Sequence, residues 1–85
     1  MPKPATNNQF NKLRDWYSDA IGFMEANWYV HKLEQTGFTS KQASAEMTRI
    51  HALRANGQKR NAKPLDYTPP TDEELEKFKL KWCPF

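Results

Sequence analysis

Gly37-Phe38-Thr39-Ser40-Lys41-Gln42-Ala43 holds a helix stop and a helix start within seven residues, and its reading decides the fold. Gly37 is the residue type expected just past a helix C-terminus, because it alone takes the left-handed backbone there without a Cβ clash. Thr39-Ser40-Lys41-Gln42 is a capping box: the threonine hydroxyl accepts from the third helical amide, and the glutamine reaches back to the cap's own amide. Phe38 stands between them, placed to staple onto the first turn of the new helix near Ala43. The same device occurs upstream at Thr6-Asn7-Asn8-Gln9 and downstream at Thr71-Asp72-Glu73-Glu74. Three helix starts are thereby marked.

The segments behind these caps carry helical periodicity. After Thr6, the residues Phe10, Leu13, Tyr17, Ala20, Ile21 and Met24 recur at three- and four-residue steps and share one face. Gly22 costs such a helix about 1 kcal/mol relative to alanine, so the helix bends or stops near it. A segment from Ala26 to Thr36 groups Ala26, Tyr29, Val30 and Leu33, either as a second helix or as the continuation of the first. After Thr39, Ala43, Met47 and Ile50 form a stripe with Leu53 at its edge, ending before Gly57. From Gln58 to Pro70 periodicity vanishes and three prolines appear, which predicts an extended connector able to reach about 40 Å. Leu65 and Tyr67 are its expected anchors. Behind Thr71, acidic residues suit the helix dipole, Leu75, Phe78 and Trp82 form an apolar stripe, and Pro84 ends the pattern. No segment alternates with period two long enough to make a strand. The expected fold is all-α: a three-helix module over 1–57, a Pro-rich extended connector over 58–70 and a C-terminal helix over 71–85, within one domain.

Composition narrows the function classes. A chain of 85 residues supports a modest core but not a core with a deep substrate cleft. Its hydrophobic fraction of 38% is low, so several of the eleven aromatics must be core. The single Cys83 excludes an internal disulfide and leaves no thiolate pair for zinc. Without an apolar run of membrane-spanning length or a signal-like N-terminus, a soluble protein of the reducing cytoplasm is expected.

Catalytic chemistry finds little to work with. His31 and His51 lie on different helical segments without a carboxylate at i+4, and Cys83 stands at the chain end, so no nucleophile-base pair and no metal set is expected. Asp15 and Asp19 share a face at i, i+4, where a solvated surface near Lys12 is the plainer reading than a cation site. The glycines are isolated, so there is no phosphate cradle. Neither a catalytic residue nor a cofactor is expected.

Binding remains. Residues 41 to 63 carry Lys41, Arg49, Arg54, Lys59, Arg60 and Lys63 against Glu46 alone, whereas the flanking segments are neutral or acidic. Such a stretch either pairs with nucleic-acid phosphates or is an ordinary solvated face. The corner at Gly37 also loosely resembles a helix-turn-helix. Trp16, Phe23 and Trp28 lie off the core stripes, where they either receive the fourth helix and the connector or form a surface for a protein partner. The end Trp82-Cys83-Pro84-Phe85 either caps the core or docks elsewhere.

The pair Ala5-Thr6-Asn7-Asn8-Gln9 and Phe38-Thr39-Ser40-Lys41-Gln42-Ala43-Ser44 with Ile50 resembles a small helical module of unknown function in bacterial and phage proteins. The likeness spans about residues 4–55, with Phe38 in place of the usual leucine and Met47 where an aliphatic residue is expected. It implies association with nucleic-acid-processing machinery and no activity of its own. The protein is expected to be an accessory or regulatory one, plausibly of phage or bacterial origin, in nucleic-acid metabolism or defence. The expected partner is a protein, with direct nucleic-acid binding as the alternative.

Overall fold

The computed structural model describes residues 3–65 and 67–82, the last by its backbone alone. The Trp82 side chain, the Pro84 stop and the C-terminal docking end lie outside the described residues. Four α-helices follow in order: α1 (Asn7–Ile21), α2 (Phe23–Gln35), α3 (Ser40–Ala55) and α4 (Asp72–Trp82), with a 3-10 helix at Lys59–Asn61 before α4. Among the described residues there is no strand, only one isolated bridge between Pro4 and Thr39. The fold is all-α. No described helix is long and apolar enough to cross a membrane.

All three capping boxes form. Thr6 and Thr39 accept from the Gln9 and Gln42 amides at 3.2 and 3.1 Å, and Thr71 accepts from the Glu74 amide at 3.1 Å. The first two boxes also meet each other. Ala5 N donates to the Phe38 carbonyl and Ser40 N to the Lys3 carbonyl, so the two lead-in segments pair like a fragment of sheet. Gln9, already in its own box, donates from Nε2 to the Ser40 carbonyl at 3.2 Å and to Ser44 Oγ at 3.3 Å. One side chain thus ties the starts of α1 and α3 together.

Gly22 settles the question of one helix or two. Its φ of 98° and ψ of 155° lie in a region held almost only by glycine, and it serves as the last cap of α1 and the first of α2. The chain reverses there without a loop. Arg14 reaches Glu34 and Tyr17 meets Tyr29, so α1 and α2 run antiparallel. At the far end of α2, Phe38 N donates to the Leu33 carbonyl past Gly37, whose φ is 77°, closing the helix with a glycine cap. Phe38 turns its ring toward Phe10, 6.3 Å away, and packs on the core.

The core joins Phe10, Leu13 and Tyr17 of α1, Ala26 and Val30 of α2, and Ala43 and Ile50 of α3, all buried. Helix α3 adds Met47 and Leu53 at the edge of this cluster, and polar bonds to α1 supplement the apolar contacts. Gln9 holds its start, Tyr17 Oη donates to Glu46 Oε2 at 2.6 Å in its middle, and Arg54 binds Asp19 at 2.5 Å near its end. These pairings advance together along both helices, so α3 runs parallel to α1.

The connector departs from the extended form that its prolines predict. It opens with the 3-10 turn, packed on α1 and α3, and Ala62 enters the core. Arg49 donates to the Lys63 carbonyl at 3.0 Å, fixing the backbone so that the next residue, Pro64, points inward and is fully buried. Proline brings no N–H to satisfy, which makes it suited to that place. Leu65, an expected anchor, is instead 80% exposed, whereas Tyr67 does pack, its ring 5.9 Å from Tyr29. The packed unit includes Ala62, Pro64 and Tyr67 of the connector.

Beyond the connector, α4 lies against α2 and adds a flank to the helical core. The radius of gyration, 13.0 Å, exceeds the value of about 12 Å for a chain this long, as a helix laid on one side requires.

Candidate binding surface

Trp28 is buried, at 7% exposure, because α4 covers the face of α2 on which it lies. Of the two roles open to this residue, it takes that of receiving the fourth helix and is not itself an exposed anchor. Beside it, Trp28, His31, Lys32 and Gln35 of α2 and Glu74, Lys77, Phe78 and Lys81 of α4 line a hollow of about 280 Å³ that opens to solvent. Phe78 is as buried as Trp28, and its ring lies 5.6 Å from that of His31. Lys32 Nζ stands 4.6 Å above the Trp28 ring, a cation-π distance. The floor is aromatic and the rim cationic.

Charge at this rim is only partly neutralised. Glu74 accepts from Thr71 Oγ1 at 3.2 Å as part of its capping box. Lys77 sits 3.5 Å from Glu73, but both side chains are largely exposed, so water and salt weaken the pair. Lys32 and Lys81 have no carboxylate within ion-pair distance among the described residues.

Trp16 occupies a different surface. It is half-buried, with Lys12 Nζ 5.1 Å and the Arg54 guanidinium 5.4 Å from its ring and the His51 ring 6.3 Å away. Its indole is thus enclosed by cations of its own chain. Phe23, at the first turn of α2, is 61% exposed. These three aromatics do not combine into the hollow, which takes Trp28 alone of them.

The basic stretch is divided by the fold. Arg49 is held by Glu46 Oε1 at 2.5 Å, a bond that raises its pKa further, and Arg54 is held by Asp19. Asp15 and Asp19 are both exposed, as a solvated face requires, and Asp19 is in addition an inter-helix partner. Lys59 and Arg60 are exposed on the 3-10 turn beside an open hollow of their own, Lys63 is exposed just beyond, and Lys41 is exposed in the first turn of α3. Lys41 lies near the opposite end of a 16-residue helix from the others, about 20 Å along its axis. Four exposed cations remain from the six, three at or just past the 3-10 turn and Lys41 apart from them.

Among the described residues, no group of three or more His, Cys, Asp or Glu side chains could hold a metal ion. His31 and His51 stand apart, each against an aromatic ring. Periodicity within one helix did not signal His31, Lys32, Lys77, Phe78 and Lys81 as a group, because they come from segments about forty residues apart. A local trace existed in Trp28 and Lys32 at i, i+4 and in Phe78 and Lys81 at i, i+3, which place cations beside aromatic positions. No protein-family model matches the chain, and neither curated proteins nor solved structures show a significant match to it.

Proposed function

We propose that this chain is a non-enzymatic accessory or regulatory protein that acts by binding another protein. The observation that carries the reading is the hollow between α2 and α4, where two aromatic floors meet a rim of lysines. Trp28 and Phe78 give the hollow an apolar floor, and the lysines at its rim offer a partner charged contacts that set specificity. The resemblance of residues 4–55 to a bacterial and phage module supplies the proposed setting, a cytoplasmic partner in nucleic-acid metabolism or defence, which the protein regulates or inhibits.

Direct nucleic-acid binding is the second reading, supported by the exposure of Lys41, Lys59, Arg60 and Lys63. It is weakened by the internal use of Arg49 and Arg54 and by a net charge of only +3. An affinity experiment with the immobilised full chain separates the two. A protein retained after nuclease treatment supports the first reading. Retention of nucleic acid alone, falling log-linearly with salt and lost when Lys59 and Arg60 are neutralised, replaces it with the second.

A further inference from the structure

We propose that the hollow between α2 and α4 is a docking site for an acidic segment of the partner protein, whose carboxylates meet Lys32, Lys77 and Lys81. This rests on the protein-binding reading and names the chemistry of the segment bound. Charge complementarity is the main argument. Three lysines and His31 line the hollow against Glu74 alone, and that carboxylate is engaged with the Thr71 cap. Lys32 and Lys81 have no carboxylate within ion-pair distance among the described residues, and Lys77 gives up only an exposed, screened pair. An incoming carboxylate therefore gains cations without breaking a buried bond.

Shape and ring accessibility point the same way. The hollow's volume, about 280 Å³, is at the lower edge of small-molecule pockets and suits a few side chains of a segment passing over it. Single-stranded nucleic acid requires open aromatic faces on which bases stack. Here Trp28 and Phe78 are each 7% exposed, with Lys32 over one ring and His31 against the other. The rings back the hollow and leave no free platform, whereas Lys32, Lys77 and Lys81 are exposed at its rim.

The test is selection from a displayed random-peptide library on the intact chain, followed by amide-shift mapping of the best synthetic peptide. Peptides rich in Asp and Glu, with shifts centred on Trp28, His31 and Phe78, are expected. Lys32→Glu, Lys77→Glu and Lys81→Glu together should weaken that peptide about tenfold or more. The amide spectrum of this variant reports its folding, and the single Lys→Gln changes, expected to weaken it severalfold each, serve if the triple variant does not fold. Peptides without acidic bias, or acidic peptides that map elsewhere, overturn the inference. If they map to Trp16 or Phe23, protein binding as such still stands. Failure to select any peptide, with oligothymidylate held by the same lysines, overturns both.

Discussion

Tyr17 shows how one side chain can be committed to two tasks. Its ring is fully buried in the core, and its hydroxyl donates to Glu46, which also accepts from Arg49. Arg49 in turn donates to the Lys63 carbonyl, so a single chain of bonds runs from α1 through α3 to the connector. Burial first, and the hydrogen bond to Glu46 second, push the phenol's pKa far above its ordinary value of 10.0. The unfolded chain consequently loses this proton first as pH rises. The stability contributed by the neutral phenol is intact below pH 10 and is lost above it, by about 1.4 kcal/mol per pH unit, on the way to the folded pKa. Tyr17→Phe should cost about 1 to 2 kcal/mol at neutral pH and flatten most of that alkaline decline. Urea denaturation between neutral pH and pH 11 measures both effects. An alkaline limb as steep as that of the unaltered chain counts against this account, because Tyr67, whose pKa is raised by burial and by Glu25, is partly exposed and should contribute less.

At the scale of elements, the glycines at helix ends decide the path of the chain. Gly22 has a backbone conformation that side-chain-bearing residues rarely adopt, and a Cβ there would stand 2.8 Å from Glu25 Oε2. The carboxylate can swing away, so the backbone conformation sets the cost. Gly22→Ala should destabilise the fold by about 1 to 3 kcal/mol. Because alanine also favours a continuous helix through this corner, size-exclusion chromatography should show a larger dimeric fraction formed by exchange of α1. A variant as stable and monomeric as the parent would show that the corner does not depend on glycine. The caps themselves were legible in the residues, since a capping box is satisfied within four consecutive positions. The second bond of Gln9, to Ser40 and Ser44, was not legible, because it exists only once α1 and α3 lie side by side.

Across the whole molecule, packing is uneven. Helix α1 touches α2, α3 and the 3-10 turn, whereas α4 packs on α2 through one face, with Phe78 its buried side chain among those described. Local openings follow the amount of apolar contact that must be broken, so α4 amides should exchange with solvent deuterium at least about tenfold faster than those in the middle of α1. Mass-spectrometric exchange measures this, and equal protection of the two helices would mean that the molecule opens only as one unit. The sequence by itself determined the helical class, the three capped starts, the stops at Gly37 and Gly57, and the buried part of the α1 stripe at Phe10, Leu13 and Tyr17, because each depends on neighbours within one or two helical turns. Met24, expected on the same stripe, lies on α2 beyond the Gly22 corner. Tertiary structure decided which off-stripe aromatic is covered, which basic residues are consumed internally, and which connector residue turns inward. Trp28 is buried by a helix more than forty positions away, Arg54 is neutralised by Asp19 across a helix interface, and Pro64 replaces Leu65 as the anchor because Arg49 holds the backbone beside it. Those outcomes rest on distances between remote segments, which no local periodicity encodes.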